Sequence, residues 1–449
     1  MDKNLFLTTP LAESLYQTAA GLPMVDYHNH LSAADIADDR VYEDIASLWL
    51  LSDPYKHRVM RICGVEERLI TGAAPNREKF GAWCRIFPEL VGNPLYDWSR
   101  MEMEWIFGID LPICAENAEK IWAEANARLR EPGFSAQGLL QRFDCRYTAP
   151  CTTLLEDLSP FARVSWMAPS LRGDDLLRPG PALVRALAAQ SGREIRDLDS
   201  FRAALAARLD AFHEVGCRFA DHALDNGFVW QTDDGQADAR FAALLEGAPV
   251  DEGALACDML RLLAPLYAQR GWIMQLHLGA QRRTSTRLRT LAGAAGGYAC
   301  IGSPLSMASL TQMLDELESL GLPRTLLFAM NPADAATLSV LTGSFSEDGV
   351  SPKVGQGPAW WWCDHAAGMR NVLDALCSYS VLSVFIGMTT DSRSMLSLLR
   401  HDYFRRVLCG WLGEKAKAGE LPEDPTVLAS LVKKLCFENA ANALKGVRI

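Results

Sequence analysis

The sequence predicts an α/β fold, namely a distorted (β/α)8 barrel of the TIM type with an all-α insertion after the first strand. From about residue 132 onward, near-continuous apolar runs alternate with amphipathic, helix-length segments, which is typical of a parallel sheet covered by helices. Together with one run near the N-terminus these runs number eight, the count that closes a barrel. Residues 35–130 show helix-length segments and no convincing strand.

The first predicted strand lies in the stretch 23–31, which reads P-M-V-D-Y-H-N-H-L. Its apolar and aromatic residues lead directly to His28 and His30. Residues two apart on a strand point to the same face, so the two imidazoles are expected to lie side by side. Two imidazoles at a strand end make half of a divalent-metal site.

The insertion is predicted from four helix-length segments separated by turn signals, and these segments span residues 44–51, 54–65, 77–87 and 115–129. The predicted division of the chain is therefore a barrel formed by residues 1–34 and 131–449 and a helical insertion formed by residues 35–130.

The other seven predicted strands follow in chain order at residues 145–151, 162–168, 217–223, 272–278, 298–301, 325–330 and 382–388. Helical patterns between them include residues 200–214, 257–270, 307–320 and 366–379. An open doubly wound sheet is the alternative fold, but no G-x-G-x-x-G opens a helix after a strand.

Composition excludes several classes of function. The 449-residue chain carries a net charge of −11 and no basic cluster, so nucleic acid is not expected as a partner. The 12 cysteines show no paired spacing and are expected to be reduced, as in a cytoplasmic protein. No apolar run is long enough for a signal peptide or a membrane span, so no membrane partner is expected. A homo-oligomer stays an open alternative.

Closure of a barrel places strand eight beside strand one and so brings Asp391 to His28 and His30. Two imidazoles and a carboxylate leave open positions on a divalent ion, as a catalytic metal needs. The alternative for Asp391 is a helix N-cap.

Further polar residues are predicted at the carboxyl ends of strands, where a barrel has its active site. His277 could instead be a core residue whose ring nitrogens are hydrogen-bonded, and Asp221 could be a buried carboxylate that caps a loop. Arg172 and Arg393 suit recognition of a carboxylate, although a surface arginine is the common alternative. Trp360 and Trp361 lie in a long segment, residues 343–364, where they could cover a ligand or form a packed aromatic cluster.

Eight motifs, spread over nearly the whole chain, resemble uronate isomerases, the glucuronate isomerase group of the amidohydrolase superfamily. They are D-Y-H-N-H-L from Asp26, I-T-G-A-A-P-N-R-E-K-F from Ile70, G-N-P-L-Y-D-W from Gly92, G-C-R-F-A-D-H-A-L-D from Gly216, R-G-W-I-M-Q-L-H-L-G-A from Arg270, M-T-T-D-S-R-S from Met388, R-H-D-Y-F-R-R from Arg400 and F-E-N-A from Phe437.

The resemblance implies a distorted (β/α)8 barrel that converts D-glucuronate to D-fructuronate and D-galacturonate to D-tagaturonate, with a small-molecule uronic acid as the partner. It implies one divalent ion, most commonly Zn²⁺, on His28, His30 and Asp391. The substrate-contacting positions that it implies are Tyr55, Arg172, Asp221, His277 and Arg393, with Trp360 and Trp361 nearby.

The chain also departs from the family pattern at the expected rim of the pocket. The family commonly reads H-Y-K-W-R where residues 54–58 read P-Y-K-H-R, and S-W-R where residues 170–172 read S-L-R. It reads T-T-D-D-P where residues 152–156 read T-T-L-L-E, and Asn-Asp where this chain has Gly302 and Ser303. An altered substrate preference is therefore expected.

The mechanistic hypothesis assigns Tyr55 as the donor to an enediolate oxygen, and Asp391, or a water that it shares with the metal, as the proton shuttle. Arg172 and Arg393 would hold the carboxylate or the neighbouring hydroxyls. Two other functions stay open. They are a metal-dependent hydrolase of a sugar-acid lactone or related substrate, and a non-catalytic sugar-acid binding protein.

Overall fold

A curled parallel sheet forms the centre of the protein. The computed structural model describes residues 4–444. Its strands are β1 Met24–Asn29, β2 Cys145–Thr153, β3 Ser170–Arg172, β4 Phe219–Leu224, β5 Ile273–Leu278, β6 Ala280–Gln281, β7 Cys300–Ile301, β8 Arg324–Ala329 and β9 Val354–Gln356. Seven of them form one parallel sheet in the order β1-β2-β3-β4-β5-β8-β9, and β6 pairs with β7 in a separate antiparallel pair. The predicted α/β fold of the distorted barrel type is confirmed.

The eighth position of the barrel is filled by residues 385–392, which run beside β1 without forming a regular strand. The His30 amide donates to the Ser392 carbonyl across 2.7 Å, and the Asp391 amide donates to the His28 carbonyl across 3.1 Å. The predicted strand over residues 382–388 is therefore wrong, because Leu382–Val384 is a 3₁₀ turn and the closing segment follows it.

One buried carboxylate takes the place of a regular hydrogen-bond ladder between β1 and the closing segment. Asp26 is fully buried and accepts hydrogen bonds from the Thr390 amide at 2.7 Å, the Thr390 hydroxyl at 2.8 Å and the Thr389 hydroxyl at 3.0 Å. His401 lies 3.2 Å from the same carboxylate. These bonds hold the segment that carries Asp391 against the strand that carries His28.

Two other predicted strands are also wrong. In place of a strand at residues 162–168, Ser159–Arg163 is a helix with Pro160 in its first turn, a position that favours helix initiation. The third strand of the sheet is instead β3, which begins at Ser170. Residues 298–301 do not enter the main sheet, because β7 pairs with β6 outside it. The remaining parallel strand, β9, is only three residues long. It lies within the long segment 343–364, for which the sequence predicts no strand.

Helices cover the sheet and fill the connection between β1 and β2. That connection contains no strand, and its helices are Ala33–Ala37, Ile45–Trp49, Pro54–Ile62, Asn76–Ile86, Pro94–Met101, Ala118–Arg128 and Ala136–Arg142. The other α-helices are Pro10–Ala20, Ser159–Arg163, Asp174–Leu177, Pro181–Ser191, Leu198–Glu214, Ala237–Leu245, Glu252–Gln269, Thr286–Ala292, Met307–Leu320, Ala335–Leu341, Ala366–Tyr379, Arg400–Lys417, Pro425–Lys433 and Asn439–Ala443. None of the helices within residues 4–444 is both long and apolar enough to cross a lipid bilayer.

The barrel interior is a packed core and not a pore. Buried side chains from several strands and from the closing segment meet there, including Tyr27, Tyr147, Phe219, Phe328 and Ile386. This packing excludes water from the barrel interior. The polar groups lie at the carboxyl ends of the strands, as is usual in such barrels.

Candidate active site

His28, His30 and Asp391 meet at the end of β1, as the barrel closure predicts. Asp391 Oδ1 lies 3.4 Å from His28 Nε2 and 3.0 Å from His30 Nε2. The backbone of Asp391 has φ of +50°, a conformation that is uncommon outside glycine and is seen at functional sites. The closing segment thus turns sharply at the residue whose carboxylate reaches both imidazoles.

The protonation states of His30 and Asp391 suit metal binding. Burial opposes protonation of His28, but the nearby Cys151 and Asp391 raise its pKa well above the ordinary value, so a metal ion that binds His28 has to displace a proton. Burial lowers the pKa of His30 to about 3, so its imidazole is neutral, the form that binds a metal. Burial opposes ionisation of Asp391, but the neighbouring imidazoles of His28 and His30 hold the pKa of this carboxyl well below its ordinary value. The carboxylate is therefore ionised at neutral pH.

Two groups of donor atoms among the described residues lie close enough together to hold a divalent ion, and neither of them contains Asp391. Despite the short distances, Asp391 Oδ1 is buried and has no hydrogen bond of acceptable geometry within the described part of the chain. The ligand atoms of His28, His30 and Cys151 all lie within 4.8 Å of one another, and so do those of His28, Asp221 and His277. A cation would supply the partner that Oδ1 lacks.

Cys151 is a residue that the sequence analysis missed. Its Sγ lies 3.5 Å from His28 Nδ1 and 3.7 Å from Asp221 Oδ1. The available signal was its place on β2 near the carboxyl end of the strand, but a cysteine among apolar residues is usually a core residue.

Trp360 contacts both Asp391 and His277. Its indole Nε1–H donates to Asp391 Oδ2 across 3.1 Å, and its ring centre lies 4.6 Å from that of His277. The His277 ring in turn lies 4.7 Å from the His28 ring, and its buried Nε2 has no hydrogen-bond partner among residues 4–444. Burial, followed by the nearby His28, lowers the pKa of His277 well below its ordinary value, so this imidazole is neutral.

The two predicted arginines have different surroundings. Arg172 forms an ion pair with Asp174, with Nη2 2.8 Å from Oδ2, and its Nη1 lies 3.4 Å from His30 Nε2. The half-buried guanidinium of Arg393 makes no ion pair or side-chain hydrogen bond with any residue of the described chain. Burial lowers its pKa, and the nearby Asp391 carboxylate opposes this change without forming an ion pair.

Tyr55 belongs to a buried group that sequence reasoning found only in part. Its hydroxyl donates to Asp364 Oδ2 across 2.9 Å, and Arg400 Nη1 donates to the same oxygen across 2.7 Å. Burial and then Asp364 raise the pKa of Tyr55 well above its ordinary value, so the phenol keeps its proton. Asp364 and Arg400 were missed because each becomes a neighbour of Tyr55 only in the folded chain.

A cavity of about 740 Å³ opens over these groups. All predicted site residues except Asp221 line it, together with Arg282, Arg283 and Arg289, which the sequence analysis did not single out. Asp221 lies below the cavity floor, where its Oδ1 is 3.9 Å from His28 Nδ1 and accepts a hydrogen bond from the Ser170 hydroxyl. The cavity is thus lined by several arginines and by the acidic residues Asp174, Asp175 and Asp225, and its imidazoles His30 and His277 are neutral.

Comparison with known proteins connects this site to a family. The family model described as glucuronate isomerase matches residues 1–444. A uronate isomerase from Salmonella arizonae is 38% identical, over 98% of this chain and 98% of that protein. Among solved structures, uronate isomerase from Thermotoga maritima superposes with a TM-score of 0.92 at 29% identity, covering 99% of each chain.

Glucuronate isomerase from Caulobacter crescentus has the same fold, with a TM-score of 0.90 at 23% identity over 99% of this chain and 96% of that one. The full-length match of the family model and the identity to the Salmonella protein agree with the barrel and its cavity. The chain belongs to the glucuronate isomerase family.

Proposed function

We propose that the protein is a uronate isomerase that interconverts an aldose and a ketose, taking D-glucuronate to D-fructuronate and D-galacturonate to D-tagaturonate. The observation that carries the proposal is Arg393, a cation that lacks an ion-pair partner among the described residues, in the same cavity as His28, His30 and Asp391. The carboxylate of a uronate supplies that partner, because a guanidinium binds a carboxylate through two parallel hydrogen bonds.

The reaction moves one proton from C2 to C1 of the open-chain sugar and another between the two oxygens. Asp391 is the proposed proton carrier, since its Oδ1 is ionised and free of hydrogen bonds from the described residues. Tyr55 is the proposed donor to the oxygen that becomes negative, since its phenol lines the cavity and stays protonated. Its single O–H donates to Asp364 in the structure and would turn to the substrate oxygen during the reaction.

Arg172, His277, Trp360 and Trp361 complete the proposed substrate site. Arg172 holds hydroxyls next to the carboxylate, and the Trp361 ring, with the Arg282 guanidinium 5.3 Å from its centre, closes the cavity against water. Asp221 acts from below the floor through His28. His28, His30 and Asp391 would hold one divalent ion, for which we propose zinc, and the bound ion would polarise the substrate carbonyl and its neighbouring hydroxyl.

The test is ¹H NMR of the metal-loaded protein with D-glucuronate and with D-galacturonate in D₂O. Isomerisation gives ketouronate signals and places deuterium at C1 or C2 of the recovered sugar. The second candidate is a hydrolase of sugar-acid lactones, because a divalent ion held by His28, Asp221 and His277 could activate a water molecule instead of orienting a sugar. Release of acid from a lactone, without ketouronate, would identify that hydrolase and contradict isomerisation.

We also propose that the helical segment 35–130 is an insertion into a barrel built from the rest of the chain, and that the enzyme works in the cytoplasm. Side chains of the insertion, such as Trp49 and Trp83, share one apolar core with Leu408 and Leu412 of the helix Arg400–Lys417. The insertion and the barrel are therefore expected to unfold together. Differential scanning calorimetry would show one transition, whereas two transitions would contradict the shared core.

A further inference from the structure

A second cavity, of about 600 Å³, adjoins the catalytic one. The two share His30, Ala295 and Arg393 in their linings. The rest of the second cavity is formed by the helical insertion and by Leu31, Ser32, Ala292, Gly296, Ser394 and Met395. Its occupant would thus lie beside a substrate bound in the catalytic cavity.

Lys79, on the helix Asn76–Ile86, lines this second cavity with a charge that nothing neutralises. The residue is 7% exposed, and within residues 4–444 its ammonium has neither an ion pair nor a hydrogen bond. Burial lowers its pKa. A buried cation without a counter-ion is costly, so an anion that enters the cavity is stabilised there.

His57 adds a hydrogen-bond acceptor to the same lining. Its Nε2 lies 3.0 Å from the Leu50 carbonyl oxygen, which can only accept, so Nε2 carries the proton. Burial lowers the pKa of His57 to about 4, and the ring is neutral. Its buried Nδ1 has no partner in the described chain and offers a lone pair to a hydroxyl group.

The other charges around the cavity leave Lys79 available. Among the described residues of the lining Asp35 alone is acidic, and it forms an ion pair with Arg40 at 3.0 Å. His30 faces the metal-binding group, and Arg393 is the proposed partner of the substrate carboxylate in the catalytic cavity. The Lys79 ammonium and His57 Nδ1 therefore remain without partners among the described residues.

We propose that this second cavity is a separate binding site for a small polyhydroxylated carboxylate, held by its carboxylate at Lys79 and by a hydroxyl at His57. The carboxylate accepts charge-assisted hydrogen bonds from the ammonium, and the hydroxyl donates to Nδ1. The site goes beyond the proposed isomerase activity, because it binds a second sugar acid beside the first.

Equilibrium dialysis of the metal-loaded protein with radiolabelled D-gluconate tests the site. D-Gluconate is a polyhydroxylated carboxylate without a carbonyl to isomerise, and D-sorbitol is the matched compound without the carboxylate. We expect two molecules of D-gluconate per chain, with D-sorbitol competing at neither site. Lys79→Gln and His57→Trp are expected to weaken the second site at least tenfold and to leave one molecule per chain.

Lys433→Gln, an exposed lysine on the helix Pro425–Lys433, is the control variant and keeps two molecules. Circular dichroism and isomerisation at low substrate concentration verify that each variant is folded. If Lys79→Gln fails to fold, the stoichiometry measured with His57→Trp tests the second site. One molecule per wild-type chain, or two in a folded Lys79→Gln or His57→Trp variant, would overturn the second site. Two molecules bound without any isomerisation would overturn the proposed function and leave the second site standing.

Discussion

The hydroxyl of Tyr55 donates to Asp364 Oδ2 across 2.9 Å, although the two residues are 309 positions apart in the chain. Asp364 also accepts from Arg400, whose guanidinium lies 5.2 Å from the centre of the Tyr55 ring. The phenol is therefore held by its hydroxyl and by one face of its ring. Its position at the cavity depends on a carboxyl group that does not itself line the cavity.

Asp364→Asn is expected to change how stability depends on pH. Burial raises the pKa of Asp364 from 3.8 to about 7. Between these values the folded state keeps a proton that the unfolded state loses, so this group makes the free energy of unfolding fall as pH rises, by up to about 1.4 kcal/mol per pH unit.

The substitution removes this contribution, so urea denaturation at several pH values from 4 to 7 should show a flatter decline than in the wild type. Asp199→Asn, at an exposed position, is the control and keeps the wild-type slope. An unchanged slope in Asp364→Asn would show that the carboxyl group ionises normally in the folded protein.

Asp391→Asn should lower kcat by about 10²–10⁴-fold, because it removes the proposed proton carrier. It also removes one charged ligand, so the metal content measured by atomic emission should fall. The fold should survive, since the backbone amide of Asp391 still donates to His28. A kcat near the wild-type value, with full metal content, would exclude Asp391 from proton transfer.

Trp360→Phe keeps an aromatic ring against His277 but deletes the hydrogen bond to Asp391 Oδ2. Loss of such an outer partner typically costs about 10–100-fold in metal affinity or activity. Trp362→Phe is the matched control, because the buried Nε1 of Trp362 has no hydrogen-bond partner among residues 4–444. Equal losses in the two variants would indicate that ring packing matters and the hydrogen bond does not.

Arg393→Lys should raise KM for uronates about tenfold or more and affect kcat less, because an ammonium cannot form the paired hydrogen bonds of a guanidinium. Arg289→Lys, at an exposed position on the cavity rim, is the comparison. Steady-state kinetics with both uronates separates the two effects. A larger rise of KM in Arg289→Lys would place the substrate carboxylate at the rim.

The residue pattern of the sequence was sufficient to predict that His28, His30 and Asp391 meet at the end of β1. The spacing of His28 and His30 and the need to close a barrel brought Asp391 into the prediction without any knowledge of side-chain packing. Cys151 and Asp364 were not predictable in this way, since their neighbours come from distant segments. Strand β9 was not predicted, because three residues carry too little periodicity to distinguish a strand from a loop.

The closing segment shows how a tertiary interaction can replace a local signal. The apolar run 382–388 predicts a strand, whereas the closing segment of the barrel consists of residues 385–392. In the structure they are held by side-chain bonds to Asp26, which no pattern within the segment itself encodes. Pro160 likewise explains the misplaced third strand, because proline in a first turn favours the helix over the extended chain.

The bond between Asp26 and Thr389 joins residues 363 positions apart. During synthesis the N-terminal part of the chain emerges first, so His28 and His30 are exposed long before Asp391 exists. A nascent chain that ends before residue 385 has two of the three proposed ligands and none of the bonds that close the barrel. With His28, His30 and Asp391 as the proposed ligands, we expect tight metal loading only when nearly the whole polypeptide has left the ribosome. Metal retention in truncated chains would report directly on that order of events.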